Sequence, residues 1–532
     1  MNNAAVPPTR IEQFAEWVSD LSTDAIPESV LERARLQAMN TVAAGLAGST
    51  SPSVARLREA TSYWAAPGSV GVIGTDDEWE PAAAAYANAA ASMAHDWDDY
   101  LYMGHTGHSA VWAARAIGDV TGASGDDILA AQIAANEIEG RLGAALFIGP
   151  HNGQFWSSIH CAGAAAAAAR LRRLDPEQTA HAIAIALYQP PFGLWPGFMG
   201  PDTKLLTAAE PVAQGIRAAI LAASGFTGPL DVIENRRGFL SHFSYAPRPA
   251  LLDGLGQSWL TDTIAYKEHP GCAYLQPAVE AVLRLQSENG FEAGDVARIN
   301  VRAGWLTTTM EKLGAGEPLT GVRVNFSVAL SCAAALSAGR LTHEELTPDW
   351  LAEHEENLRD LATRVFLEHD WQLTAKTIQA SGGSAADLPL RRLPSIRRRM
   401  QDTGMDEVGL GLADLREAAK HLGGGGIRGI VSPGKRGQTR SDGGHAADGG
   451  SATGASALDA SSIRMTFPCH VSIQLRSGGV LETDGRERGG SGASLEEQQA
   501  VVGEKFGIAR EAAEMPKAWR RRPAPAPTPA AS

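Results

Sequence analysis

The chain has 532 residues, 44% of them apolar, and a formal net charge of −14 at pH 7. That length can bury a large core and predicts two domains, while the negative balance argues against nucleic acid as a partner, because a polyanion would be repelled. No window holds the ~18 uninterrupted apolar residues a membrane span needs, and MNNAAVPPTRIEQF at the N-terminus has no basic stretch followed by an apolar run, so neither membrane association nor a secretory signal is expected. Cys161, Cys272, Cys332 and Cys469 lie far apart with no C-x-x-C pair. They predict free thiols in a reducing, cytoplasmic compartment and no zinc site. In a molecule of negative charge an anionic ligand needs a local cationic pocket, so lysines in apolar surroundings are informative.

The first third is helical in pattern. Ile11, Phe14, Trp17, Val18 and Leu21 recur at helical spacing. Ser22 or Asp24 caps a turn, Pro27 opens a second helix, and Val30 to Leu46 carries it to Gly48. Pro81 begins an alanine-rich helix that runs into SMAHDWDDYLYMGHTGHS, residues 92–109. This stretch gathers His95, Asp96, Asp98, Asp99, His105 and His108. Carboxylates and imidazoles at the end of an apolar helix are costly to desolvate unless paired, so the cluster is a candidate for shifted pKa values and proton transfer. The same residues also read as a solvated loop with one or two capping aspartates.

Helix-like sequence follows from Ala110 to Gly118, and Ser124-Gly-Asp-Asp opens another helix with its acids in the first turn, where the dipole favours them. HCAGAAAAAARLRR, residues 160–173, is a helix of very small side chains, fit to pack closely inside a bundle. Asp175-Pro-Glu caps the next, through Leu187. The loop QPPFGLWPGFMGPD, residues 189–202, leads into Thr203-Lys204 and a long apolar helix, Leu205 to Ser224, stopped by Gly225-Phe-Thr-Gly-Pro229. After Tyr266-Lys267-Glu-His-Pro270 the texture becomes α+β. Val296 to Val301 and Val471 to Leu475 read as strands, Val365 to Leu373 as strand then turn, Ser477-Gly-Gly as turn, and Phe326 to Leu336 and Thr342 to Leu361 as helix. Arg391 to Leu422 contains basic and helical pieces. Gly423 to Gly454 is rich in Gly, Ser and Asp and reads as disordered. Ser494 to Phe506 is a capped amphipathic helix, and the tail after Pro516 reads as unstructured.

In this order along the chain, several stretches together resemble the MmgE/PrpD family: PESVLERARLQAMNTVAAGLAGS, HDWDDYLYMGHTGHS, SGDDILAAQIAANEIEGRLG, PDTKLLTAAEPVAQGIRAAILAASGFTGP, YKEHPGCAYLQPAVEA and GGSGASLEEQQAVVGEKF. The resemblance runs from about Phe14 to Phe506, excluding roughly Gln379 to Ser461. It implies a mainly α fold: a large all-helical domain over 1–266, completed by 480–515, and a smaller α+β lid domain over 267–479. A disordered insertion around 423–457 and a disordered tail, 516–532, complete the expectation. It further implies a homodimer and a lyase without metal or organic cofactor. The implied substrate is a small di- or tricarboxylate, handled in a 2-methylcitrate dehydratase-like or cis-aconitate decarboxylase-like way by proton abstraction next to a carboxylate. Epimerisation on the same fold is the alternative, as is an inactive family member acting as a binding module.

The resemblance makes Lys204 and Lys267 the lysines that bind carboxylates or take part in catalysis; otherwise each reads as a surface lysine. Asp96 matches the first acid of the motif, Asp99 is the next candidate, and His105 is matched to the motif histidine with His108 as the alternative. Tyr100 stands where the family usually has Thr, and Asn40 where it usually has Asp. Gln154 occupies the place of a usual His; His160 or His151 is a substitute, and His160 equally reads as a core histidine. Leu330, in NFSVALSC, stands where decarboxylases and dehydratases tend to have Tyr. Deleting Gly423 to Gly454 is expected to leave the melting temperature nearly unchanged; a collapse on calorimetry would contradict the assignment of that segment.

Overall fold

The computed structural model describes residues 7–102, 104–146, 149, 157–198, 200–314, 318–381, 393–402 and 462–520. The expected insertion at 423–457, and with it Gln154 and His151, lies outside the described residues.

Most of the first 250 residues form helices whose starts follow from local chemistry. Thr9 caps Arg10–Asp20, accepting from the Glu12 amide while the Glu12 carboxylate takes the Thr9 amide at 2.7 Å. Asp175 does the same for Pro176–Tyr188 with Gln178, and the Glu80 carboxylate accepts the first free amides of Pro81–Met93. The apolar face Ile11, Phe14, Ala15 and Val18 is buried against the Pro176–Tyr188 helix. At the centre lies Ser157–Leu171, which carries buried alanines along nearly its whole length and is packed by Gly125–Leu146 and Leu206–Ala223. Small side chains set these separations. A Cβ on Gly215 would meet the Cys161 carbonyl and the Ala164 methyl at 2.5 Å, and one on Gly48 would lie 1.8 Å from the Ala91 carbonyl.

A second core belongs to the smaller unit. Its four-stranded sheet runs in the order Val365–His369, Val296–Ala303, Cys469–Leu475, Val480–Asp484, with the first pair parallel and the others antiparallel. Val296, Ile299, Val301, Val471 and Ile473 face inward, packed with the buried sides of Gln276–Asn289 and Val328–Ala338. The expected order of helices, then mixed α+β, then a returning helix is the order observed. Three details differ from the reading of the chain. The turn Ser477-Gly-Gly joins a hairpin, so residues 480–484 belong to the sheet and the return to the helical unit begins after them. The strand at Val365 is followed by a helix, Trp371–Ala380, capped by Asp370. Lys517–Arg520 is a short helix, and Trp519 stacks on Trp112 with centroids 5.9 Å apart, so the chain stays attached past Pro516.

The returning helix Leu495–Ala512, with a Ser494/Glu497 capping box, lies along Glu28–Ser49. All four cysteines are free, and no helix among the described residues is long and apolar enough to cross a membrane. Gly215→Ala is expected to cost about 1–3 kcal/mol by overpacking, read as a lower urea midpoint; an unchanged midpoint would show that the helix contact yields.

Candidate active site

The described residues of the stretch at 92–109 are buried apart from the half-buried Ala94, and two features of the backbone shape it. After Pro81–Met93 ends, Asp96 takes φ 51°, the left-handed region that a short polar side chain tolerates better than most. Asp99–Tyr100 then pairs antiparallel with Ala265–Tyr266, and the Tyr266 amide donates to the Gly489 carbonyl on the far side. This two-residue ribbon joins distant parts of the chain, and the next residue, Lys267, donates its amide to the Asp98 carbonyl at 3.1 Å.

Both lysines reach this strap. Lys204 is presented by the turn Asp202–Leu205, which Ser53 and Arg56 anchor through Asp202 at 2.6 and 2.7 Å. Its ammonium pairs with the Asp96 carboxylate and lies 5.7 and 5.1 Å from the ring centres of Phe198 and Phe326. Lys267 donates to the Asp96 carbonyl at 2.9 Å and to Asp98 Oδ1 at 2.5 Å. The other Asp98 oxygen takes His105 Nδ1 at 2.6 Å and stands 3.0 Å from His108 Nε2. The two histidines left open by the sequence therefore share one carboxylate oxygen. His108 Nδ1 meets Ser92 Oγ at 2.8 Å, while its buried Nε2 stands near Asp98 without a hydrogen bond among the described residues; His105 has hydrogen bonds only through Nδ1 among the described residues.

The remaining candidates occupy adjoining positions. The Asp99 carboxylate accepts from Gln37 Nε2 at 2.9 Å and the Gly107 amide at 3.1 Å, which ties the strap to Glu28–Ser49 and to the start of Gly107–Thr121. The Tyr100 hydroxyl donates to Glu487 at 3.4 Å, toward the smaller unit's core, and its ring lies beside His105 at 6.4 Å. His160 Nδ1 is 2.6 Å from Glu139 Oε2, and the Ser109 hydroxyl donates to the same oxygen at 2.7 Å. Leu330 is half-buried on Val328–Ala338.

Burial and pairing set the charges. Burial alone would raise the pKa of Asp98, but the Lys267 ammonium and His105 outweigh it and hold it well below 3.8. Burial would lower Lys267, yet Asp98 and Asp96 raise it above 10.5. His105 is lowered by burial despite Asp98, which favours the neutral ring. Burial also pushes Glu139 well up and His160 well down, which favours the neutral form of each. Burial and the Asp98 charge raise Asp99.

Asn325 and Lys505 escaped the reading of the sequence. Asn325 Nδ2 donates to Asp96 Oδ2 at 3.3 Å; its signal was a polar residue inside the apolar run GVRVNFSVAL. Lys505 lies on the buried face of Leu495–Ala512 with Gln498, Val501, Val502 and Ala509; its signal was a lysine at helical spacing from those valines.

Asp98→Asn is expected to cost about 3–5 kcal/mol at pH 7, because it leaves Lys267 buried without its counter-ion. Since the folded pKa of Asp98 is depressed, its stabilisation is present above 3.8 and is lost as pH falls through the lower folded value. The gap between wild type and D98N should therefore narrow in acid, as urea titrations at several pH values would show; a pH-independent gap would contradict the pairing.

Comparisons with known proteins place the chain in a family. Residues 12–251 match the MmgE/PrpD N-terminal domain and residues 269–387 the MmgE/PrpD C-terminal domain. The chain is 27% identical over 389 residues to a cis-aconitate decarboxylase of Aspergillus terreus, taking in 66% of this chain and 77% of the relative. It is 29% identical over 295 residues to the cis-aconitate decarboxylase-like protein oryM of Aspergillus oryzae, with 52% and 61% covered. To the cis-aconitate decarboxylase of Homo sapiens it is 27% identical over 280 residues, with 49% of this chain and 56% of the relative covered. The last two matches thus span less than two thirds of the relatives' length. The two domain matches between them take in most of the chain, and the protein belongs to the MmgE/PrpD family.

Proposed function

We propose that the protein is a cofactor-independent lyase acting on a small di- or tricarboxylate, decarboxylase-like or dehydratase-like. The observation that carries this reading is the convergence of Lys204, Lys267, His105 and His108 on Asp96 and Asp98 in a buried segment. The names of the relatives, cis-aconitate decarboxylases, support a polycarboxylate substrate.

Proton abstraction next to a carboxylate needs a neutral base and cations to hold the acid groups. Lys204 and Lys267 are those cations. Asp98 accepts Nδ1–H of His105, which selects the tautomer with a bare Nε2, and the lowered pKa keeps that nitrogen able to take a proton. In a dehydration, Nε2 takes the proton from the carbon beside the carboxylate. The electrons of that C–H bond form the new C=C bond, and hydroxide leaves and is protonated to water. In a decarboxylation, Nε2 first takes a proton from solvent; the electrons of the C–CO₂ bond are left on the substrate as carbon dioxide leaves, and the imidazolium gives that proton to carbon and returns to its neutral form. An ammonium beside the neighbouring carboxylate stabilises the intervening charge in either case. Asp96 holds Lys204; Tyr100, His160 and Gln154 are assigned to the substrate's surroundings.

Leu330 favours a second reading. A leucine on the lid helix brings no hydroxyl for proton transfer, which suits an epimerase with different proton donors or a catalytically inactive binder.

Incubation with citrate, 2-methylcitrate, cis-aconitate and aspartate-derived diacids in deuterated water, followed by NMR, tests these readings. Product formation is expected with one of them; exchange without net product would mark an epimerase, and neither on any polycarboxylate would favour the binder. Lys204→Ala and Lys267→Ala should each lower turnover by on the order of 10²–10³-fold, and near-wild-type rates in either would place the site elsewhere.

A further inference from the structure

We propose that Lys505 is a positioning residue of this site: held by Asn40 Oδ1 and the Trp97 carbonyl, it fixes the peptide between Asp96 and Asp98 and hence the two carboxylates on which the lysines and His105 depend. The proposal rests on the reading of those groups as catalytic.

Lys505 comes from the returning helix, more than 400 positions from the strap it touches, and is 1% exposed. Its Nζ donates to Asn40 Oδ1 at 2.5 Å and to the Trp97 carbonyl at 3.1 Å, and lies 5.4 Å from the centre of the Trp97 ring. Trp97 is itself pinned. Its indole N–H donates to the Glu268 carbonyl at 2.9 Å, next to Lys267, and its ring stacks on His343 with centroids 6.2 Å apart. The left-handed turn at Asp96 is thus followed at once by a peptide whose oxygen an ammonium holds from behind. The Asn40 side chain makes this one hydrogen bond among the described residues, its Nδ2 being buried without a partner there.

Both direct partners of Lys505 are neutral oxygens, and among the described residues no carboxylate touches the charge. Burial pushes its pKa down to about 7. Asp98, Asp99 and Glu268 act against that and Lys267 acts with it, while His269 on the neighbouring turn feels the Lys505 charge in return. Near neutrality the group behind the strap therefore gains or loses a full charge, and with it the strength of its grip on the Trp97 carbonyl.

The test uses the full chain labelled with ¹⁵N-histidine, the His105 resonance being assigned with His105→Gln. In the wild type that resonance should show an inflection near pH 7 from Lys505. Asn40→Asp, which gives the ammonium a carboxylate, should move the inflection upward. Lys505→Met should abolish it and lower turnover by about ten- to a hundredfold, with KM changed less. Asn40→Asp has a second readout if Lys505→Met does not fold. Wild-type Lys505 is neutral in the fold but charged in the unfolded chain between about pH 7 and 10.5, so wild-type stability rises across that range. The stability advantage of N40D over wild type should accordingly shrink from pH 7 to 10. A His105 signal indifferent to Asn40→Asp, or an N40D advantage that is flat with pH, would overturn the proposal. Coupled His105 signals without turnover of any polycarboxylate would instead leave it standing and remove the catalytic reading.

Discussion

The buried pair of Lys267 and Asp98 is the contact on which the centre depends. Two charges removed from water cost more than their attraction returns unless other groups complete their hydrogen bonds. Here they do: Lys267 also has the Asp96 carbonyl, and Asp98 also has His105 with His108 alongside. The backbone supplies the proximity, since the Asp99–Tyr100 ribbon with Ala265–Tyr266 brings the Lys267 amide onto the Asp98 carbonyl before any side chain is placed. This short ladder, continued by the Lys267 amide on Asp98 and the Gly271 amide on the His95 carbonyl, joins the strap to the start of the smaller unit, and the ion pair forms at that seam.

The same seam gives the site its charge pattern. Two ammonium groups are matched by two carboxylates, while burial lowers His105 and His160 and raises Glu139 toward their neutral forms. In a chain of net charge −14, this is a place where cations sit close together out of water. The aspartates hold the lysines in fixed positions, and burial favours the neutral form of the imidazole beside them. Aromatic rings from both units, Phe198 and Phe326, enclose Lys204 and keep its charge poorly hydrated.

The positions where the resemblance implies a different residue fall around the charged centre rather than on it. Asn40 lies behind the strap, against Lys505. Tyr100 directs its hydroxyl to Glu487, whose carboxyl burial pushes up to about 7, instead of to the lysines. Leu330 puts an apolar side chain on Val328–Ala338. The paired lysines and aspartates lie at the centre of this arrangement and these three positions lie around it, while the family membership rests on the two domain matches.

Much of the fold was written locally. Thr9, Glu80, Asp175 and Ser494 announce helix starts because capping is a matter of a few adjacent residues, and the alanine run at 160–171 announces close packing because small side chains permit it. The sequence also marked Asp96, Asp98, His105 and His108 as a group, since they lie within one turn-rich stretch, and the lysines entered through the family pattern. Strand Val480–Asp484 escaped notice because its exposed alternation carries little apolar signal. What only the tertiary structure decided is which charges meet. Lys204 and Asp96 are 108 positions apart, Lys267 and Asp98 169, and Asn325 and Asp96 229. Neither side chain of such a pair constrains its own neighbours in sequence, so the pairing exists only once the ribbon and the two cores have brought the chain together.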